Sequence, residues 1–210
     1  MRREIILAKN DRIAVIAPHP DDECLGASAV LLQAPEQTDI YVLTDGSHGS
    51  AKRSVEEEAT VRKAQFEAEM AYLRPHGWYW LGIEDTKLDK HGEAADQIDF
   101  TGYTKIFLPW LGSLHPDHVA AAKMCIKAIQ RQKPQAECYS YEINAPFSYP
   151  SHYIDITAME ERKRRLVRFH ADQAGQEQIT LALNAFRAAQ MLQFPQYKYV
   201  ECYLRIEDCP

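Results

Sequence analysis

Residues 12–23 read RIAVIAPHPDDE, a short apolar run rich in branched side chains that stops at Pro18 and passes into an acidic loop. Branched residues suit a pleated strand, and a proline ends one. Residues 25–32 then carry an apolar helical pattern, so the stretch reads as strand, loop, helix. The unit recurs. Residues 39–44 (DIYVLT) form the next predicted strand and end at a Gly-containing loop, 45–50. Ser54 and Glu57 follow with the spacing of a capping box that opens a helix towards Tyr72. Further strands are predicted at 78–81 and 105–108, with a helical pattern at 118–131. Strands alternating with helices imply βαβ units, hence a Rossmann-like α/β fold with a mostly parallel sheet flanked by helices.

Residues 84–104 have little periodicity and read as an excursion over one end of the sheet that helps wall a site. Beyond Pro134, strands are predicted at 136–143 and 199–206. Thr157 and Glu160 repeat the capping-box spacing ahead of a helix ending near His170, and a last helix covers 176–192. There is no internal repeat, low-complexity tract or Gly/Ser-rich linker, so 1–210 is read as a single domain. That length supports a core without disulfide or metal staples.

The 24 Lys and Arg against 30 Asp and Glu leave a net charge of −6, which argues against a phosphate-backbone binder, so no nucleic-acid partner is expected. Five cysteines (Cys24, Cys125, Cys138, Cys202, Cys209) are odd in number, widely spaced and without a C-x-x-C pair, which suits a reducing compartment. Lys9, Asn10, Asp11 and Arg12 interrupt the apolar stretches at the start, so no signal peptide or membrane span is expected and the cytoplasm is the expected location. Nothing in the sequence decides the oligomeric state, and a homo-oligomer is compatible with it.

Two short motifs carry the chemistry: His19-Pro20-Asp21-Asp22-Glu23 and His115-Pro116-Asp117-His118. Each begins a few residues beyond a predicted strand, and in a parallel sheet both reach the edge where open α/β sheets bind ligands. The Asp45-Gly46-Ser47-His48-Gly49 loop should arrive at the same edge. Two imidazoles and a carboxylate make a three-ligand catalytic zinc site with a position left open for water, and His19, Asp22 and His118 are the nominated ligands. Another divalent transition metal would suit the same set. Asp21, beside a ligand but free of the metal, is placed as general base. His115 would stabilise the oxyanion or protonate the leaving amine, with Asp117 orienting it and raising its pKa. The bland alternative is a pair of polar loops with helix-capping aspartates, which two such motifs at equivalent strand ends make the weaker reading.

With both motifs in place, the chain resembles the PIG-L/LmbE-like superfamily of zinc-dependent de-N-acetylases over most of its length, including the elements around Thr44-Asp45-Gly46 and residues 81–85. The resemblance implies the same roles for His19, Asp22, His118, Asp21, His115 and Asp117. It further implies a substrate contact at Arg62, although the family's Arg and Glu three residues apart are here Arg62 and Gln65, and a sugar-hydroxyl contact at Asp85. The run Phe169-His170-Ala171-Asp172-Gln173 resembles a late family motif. A Tyr that some sugar deacetylases carry before the second motif is replaced by Leu111-Gly112-Ser113-Leu114.

Trp110 is weighed equally as a sugar-stacking ring and as a cap on the core, and His48 as a rim residue of the site. Trp78 and Trp80 read as one face of a strand. The basic run at 162–165 reads as a solvated helix face, His76, His91 and His152 as surface residues, and Cys24 as a small buried one. The expected function is removal of an N-acetyl group from an amino sugar or its conjugate. The rivals are an amidase acting on a non-sugar N-acyl or thiol conjugate, and a non-catalytic sugar- or metal-binding module.

Overall fold

In the computed structural model of the chain, residues 2–173 and 175–207 are described. Cys209 lies outside them. The strand that opens the sequence reading is β2 (Ile13–Ala17), every residue of which is buried. It is continuous in apolar residues because parallel neighbours and helices cover it on both edges and both faces. With β1 (Arg3–Glu4), β3 (Thr38–Thr44), β4 (Gly77–Ile83), β5 (Lys105–Pro109), β6 (Glu137–Tyr141), β7 (His152–Asp155) and β8 (Val200–Arg205) it forms an eight-stranded sheet of order β1-β7-β8-β6-β5-β2-β3-β4.

All pairings are parallel except those of β8 with β6 and β7. The chain winds outward from β2 through β3 to β4, then returns to the other side of β2 as β5. The carboxyl ends of β2 and β5 therefore flank a topological switch point, where open α/β sheets form a crevice.

Helices α1 (Asp22–Gly26), α2 (Ser28–Gln33), α3 (Val55–Leu73) and α5 (Glu160–Phe169) build the core on one face. Helix α4 (Pro116–Gln132) and the 84–104 excursion build it on the other, and α6 (Gln176–Ala189) packs on β8. The excursion is mostly core: Leu88, Ile98, Phe100 and Tyr103 are buried with α4. Only its first residues reach the site. The Ser54–Glu57 capping box forms at the start of α3, with both reciprocal bonds made. The one predicted at Thr157 and Glu160 does not, because the Thr157 hydroxyl accepts instead from Lys198 N at 2.8 Å. Trp78 and Trp80 both meet Phe66 of α3, while Tyr79 stacks on Tyr41 from the opposite face, the alternation of a strand. Strands β1 and β7 escape the sequence reading because they are only two and four residues long. His152 is consequently a buried strand residue and not a surface one.

The basic run at 162–165 also departs from expectation. Lys163 is 0% exposed, donating to Glu201 Oε1 at 2.7 Å and to the Leu25 carbonyl at 2.9 Å. Thr180 donates to the same carbonyl at 3.0 Å, so α5 and α6 are both tied to the end of α1, just behind the first motif. Breaking this buried pair leaves Glu201 with its bonds from Ser28, Ala29 and Tyr203 but without a countercharge. Lys163→Met is expected to cost about 3–5 kcal/mol of stability, measured as a fall in the urea midpoint at unchanged slope. A loss within the ordinary surface range would contradict the burial.

Candidate active site

The loops after β2, β3, β4 and β5 meet at the switch point and are stitched together by carboxylates. Asp45 Oδ1 accepts from Ser47 N and from Asp85 N, both at 3.0 Å, joining the loops after β3 and β4. Asp85 Oδ2 accepts from His48 N at 3.0 Å, and Asp117 Oδ2 accepts from Thr86 N at 2.8 Å, which joins the loop after β4 to the start of α4. Gly46 takes φ +64° where a Cβ would lie 3.0 Å from Pro20 and 3.1 Å from Arg62, so the loop after β3 fits closely over the loop after β2.

Within this frame His19 Nδ1 lies 3.1 Å from Asp22 Oδ2, and the same oxygen lies 3.2 Å from His118 Nε2. Donors held about 2.0–2.1 Å from a tetrahedral ion stand roughly 3.3 Å apart, so both separations suit a shared divalent cation. The remaining ring nitrogens are occupied from behind. His19 Nε2 faces Asp85 Oδ1 at 3.1 Å and Asp117 Oδ2 at 3.3 Å, and His118 Nδ1 faces Ser113 Oγ at 3.1 Å. Outer partners of this kind fix ring orientation and tautomer in metal sites.

The charge balance also suits a cation. Burial would lower the His19 pKa, but Asp117, Asp22 and Asp85 outweigh it and hold the imidazole well above its ordinary value. Burial would raise Asp22 and Asp85, yet His118 and His19 hold Asp22, and His19 holds Asp85, below the usual carboxylate range. The pocket thus demands positive charge at the place where a divalent ion would bring it.

Asp21, the N-cap of α1, has φ 134° and ψ −25°, a conformation that costs a non-glycine residue of order 1–3 kcal/mol. Its carbonyl accepts from Cys24 N and Leu25 N, and its Oδ2 lies 3.1 Å from Arg62 Nη2, which also donates to the Pro20 carbonyl. At 2% exposure Arg62 faces inward to Asp21. The residue expected to touch substrate thus also clamps the aspartate.

His115, the N-cap of α4, accepts from Asp117 N at its Nδ1. That nitrogen carries no proton, which leaves Nε2–H as a donor. Burial and the charges of His19 and His118 pull the His115 pKa below its usual value. Two expectations change here. The carboxylate of Asp117 supports His19 and Thr86 while only its backbone N–H orients His115, and the net effect on His115 is a lowered pKa. Asp85, 5% exposed with a partner on each oxygen, likewise supports His19 and His48.

Trp110 is half-buried and packed by its neighbours. A Cβ at Gly112 would lie 2.5 Å from its ring, and Phe147 meets the ring edge-on with centroids 5.0 Å apart. His48 stays at the rim, its ring 3.3 Å from Ser47 Oγ. The late run at 169–173 gains a role. His170 Nε2 and Glu69 Oε2 share a hydrogen bond of 2.8 Å beneath the first motif, and Asp172 accepts from Arg53 at 3.0 Å and Gln65 at 2.9 Å, latching the loop after β3. A cleft of about 830 Å³ beside Arg3, His152 and Arg205 opens at the start of β7 and the end of β8, away from these histidines.

Residues 14–129, more than half of the chain and running from β2 through α4, match the family described as GlcNAc-PI de-N-acetylase. The chain belongs to the PIG-L family. That makes it an enzyme of the de-N-acetylase kind, a hydrolase of N-acetyl amides. The chain is 28% identical over 186 residues to a diacetylchitobiose deacetylase of Thermococcus kodakarensis, covering 77% of this chain and 70% of that protein. In fold it resembles the N,N'-diacetylchitobiose deacetylase of Pyrococcus horikoshii, with a TM-score of 0.77, 20% identity and coverage of 94% and 85% of the two chains. It also resembles GalB, the 4-carboxy-2-hydroxymuconate hydratase of Pseudomonas putida, with a TM-score of 0.73, 15% identity and coverage of 98% and 96%.

Proposed function

We propose that this PIG-L family member removes the acetyl group from the amine of an amino sugar or amino-sugar conjugate, with one zinc ion held by His19, Asp22 and His118. The observation that carries the reading is the shared approach of His19 Nδ1 and His118 Nε2 to Asp22 Oδ2, at 3.1 and 3.2 Å, with Asp21 and His115 beside them. Resemblance to a diacetylchitobiose deacetylase supports the sugar. When bound, the ion supplies Lewis-acid polarisation of the amide carbonyl and acidifies a water.

The chain's own residues do the rest. Asp21 takes the water's proton on Oδ1, since Oδ2 is engaged by Arg62. His115 Nε2–H donates to the oxyanion as the tetrahedral carbon forms, and the proton that Asp21 took from the water passes to the leaving amine as the C–N bond breaks. Asp85 and Asp117 keep His19 oriented throughout. Metal-replete protein incubated with a panel of N-acetylated sugars should release free amine. Hydrolysis confined to non-sugar N-acyl compounds would move the substrate class, and no hydrolysis of any member by folded, metal-loaded protein would overturn the reading.

His115→Ala is expected to leave metal content and KM nearly unchanged and to lower kcat by about 10²–10³-fold, the range for one lost oxyanion donor. Steady-state kinetics with elemental analysis on the same preparation checks this. Loss of the metal would instead make His115 a ligand, since one ring nitrogen each of His19, His115 and His118 lie within 4.8 Å of one another.

A further inference from the structure

The cleft of about 830 Å³ opens at the opposite end of the sheet from the two motifs, where β1 and β7 begin and β8 ends. Strand pairing builds it. Arg3 pairs in register with His152 across β1 and β7, and His152 with Tyr203 across β7 and β8. Side chains two residues apart on a strand share a face, so Arg205 stands on the face that carries Arg3 and His152. Arg2 joins them from the wall, its Nη2 donating to Gln190 Oε1 at 3.1 Å. In a chain of net charge −6, this cleft is lined by three arginines and a single carboxylate, Glu207. Arg205 also reaches Glu137 Oε1 at 3.2 Å, but that glutamate is shared with Lys105 at 3.7 Å. The guanidinium of Arg3 has no protein partner among the described residues. Like charges set side by side across strands repel, a cost that a bound anion removes.

At the centre stands His152, 7% exposed in the wall of the cleft. Its Nδ1 lies 2.9 Å from Ser151 Oγ, which accepts from Arg205 N at 2.8 Å, so the ring is fixed by the same segment that brings up Arg205. When the Ser151 hydroxyl donates to Nδ1, the neutral ring carries its proton on Nε2. That nitrogen has no protein partner among the described residues, and a polar group held at this depth calls for one. We propose that this cleft binds the phosphate group of a small phosphorylated metabolite, with Arg3 and Arg205 on its oxygens and His152 Nε2–H completing the set. Guanidinium forks match phosphate oxygens bidentately, and two of them balance a phosphate monoester, which carries about −1.5 to −2 charges at neutral pH. The volume is that of a small-molecule site. Tyr149, 88% exposed at the rim, offers a flat ring to the organic part of the ligand. Nothing in this assignment depends on the acetamide chemistry at the other end of the sheet.

Isothermal titration of the full chain at fixed ionic strength tests this with inorganic phosphate, glucose 6-phosphate and adenosine monophosphate as probes. Binding at about one site per chain is expected, with either ester held at least as tightly as inorganic phosphate. Arg3→Gln removes a guanidinium that no described residue engages, so it should weaken binding by about 10-fold, the loss of one charge-assisted contact, and Arg205→Gln should do the same. Arg12→Gln is the control. Arg12 lies at the same end of the sheet, half-exposed but outside the cleft, and its loss should change the affinity by less than about 2-fold through screened charge alone. Equal weakening in Arg3→Gln and Arg12→Gln would reveal only the general field of the surface and overturn the proposal. Binding that is lost in His118→Ala and kept in Arg3→Gln would put the anion at the proposed metal, with the same consequence. Esters bound more weakly than inorganic phosphate, or no heat from any probe at about 10 mM, would also overturn it.

Discussion

Asp21→Asn keeps the fold and the metal but loses about 10²–10⁴-fold in kcat, the span for a removed general base. Asparagine fits the same space and still accepts from Arg62 Nη2 through its amide oxygen, so the clamp survives. What disappears is the basic oxygen. The neighbouring Asp22→Asn should behave differently, because its Oδ2 is the atom that both His19 and His118 approach. Its expected result is weakened metal affinity with activity partly restored by excess ion. Steady-state kinetics and elemental analysis on the two proteins test the division: identical behaviour would mean that the neighbouring aspartates share a single role.

Larger still is the effect expected of His19→Ala and His118→Ala, each of which should abolish tight metal binding and leave activity at background. Three protein ligands are the usual minimum for a catalytic zinc, and a two-ligand remnant holds the ion too weakly to survive dialysis. His19→Ala also strips Asp85 and Asp117 of their shared partner, leaving two buried carboxylates to repel one another, so it should lower stability more than His118→Ala. Inductively coupled plasma analysis after dialysis, with thermal melts alongside, decides this. Full metal retention in both variants would dismantle the ligand assignment.

Much of the architecture was legible because a central parallel strand must be apolar along its whole length. Residues 13–17 and 106–108 announce themselves in that way, and prolines mark where they stop. The two motifs were legible for the same reason, since both follow such strands. Support residues were not. Asp45, Ser113 and Glu69 act on partners far away in sequence or through a backbone N–H, and neither spacing nor residue type marks a side chain whose partner is supplied by topology. Arg62, Asp85 and Asp117 were found by motif but not their protein neighbours, because a motif fixes identity and leaves orientation to the packing of α3 and the loop after β4. Lys163 was misread for a related reason: four basic residues in a row cannot all face water on a helix, and the one that turned inward found Glu201 on a strand 38 residues later.

The pairing of β2 with β5 also governs when the site comes into being. His19 and Asp117 are 98 positions apart in the chain and are brought together only when Ile13, Ala14 and Val15 register against Lys105, Ile106 and Phe107. A contact of such long range closes late, after the entropy of a large loop has been overcome. The denatured chain consequently has no pre-assembled nest for an ion, and whatever affinity the native site has is converted, by mass action, into free energy of folding. With the ligand set proposed above, metal supply would then set how long the chain persists as well as how fast it works.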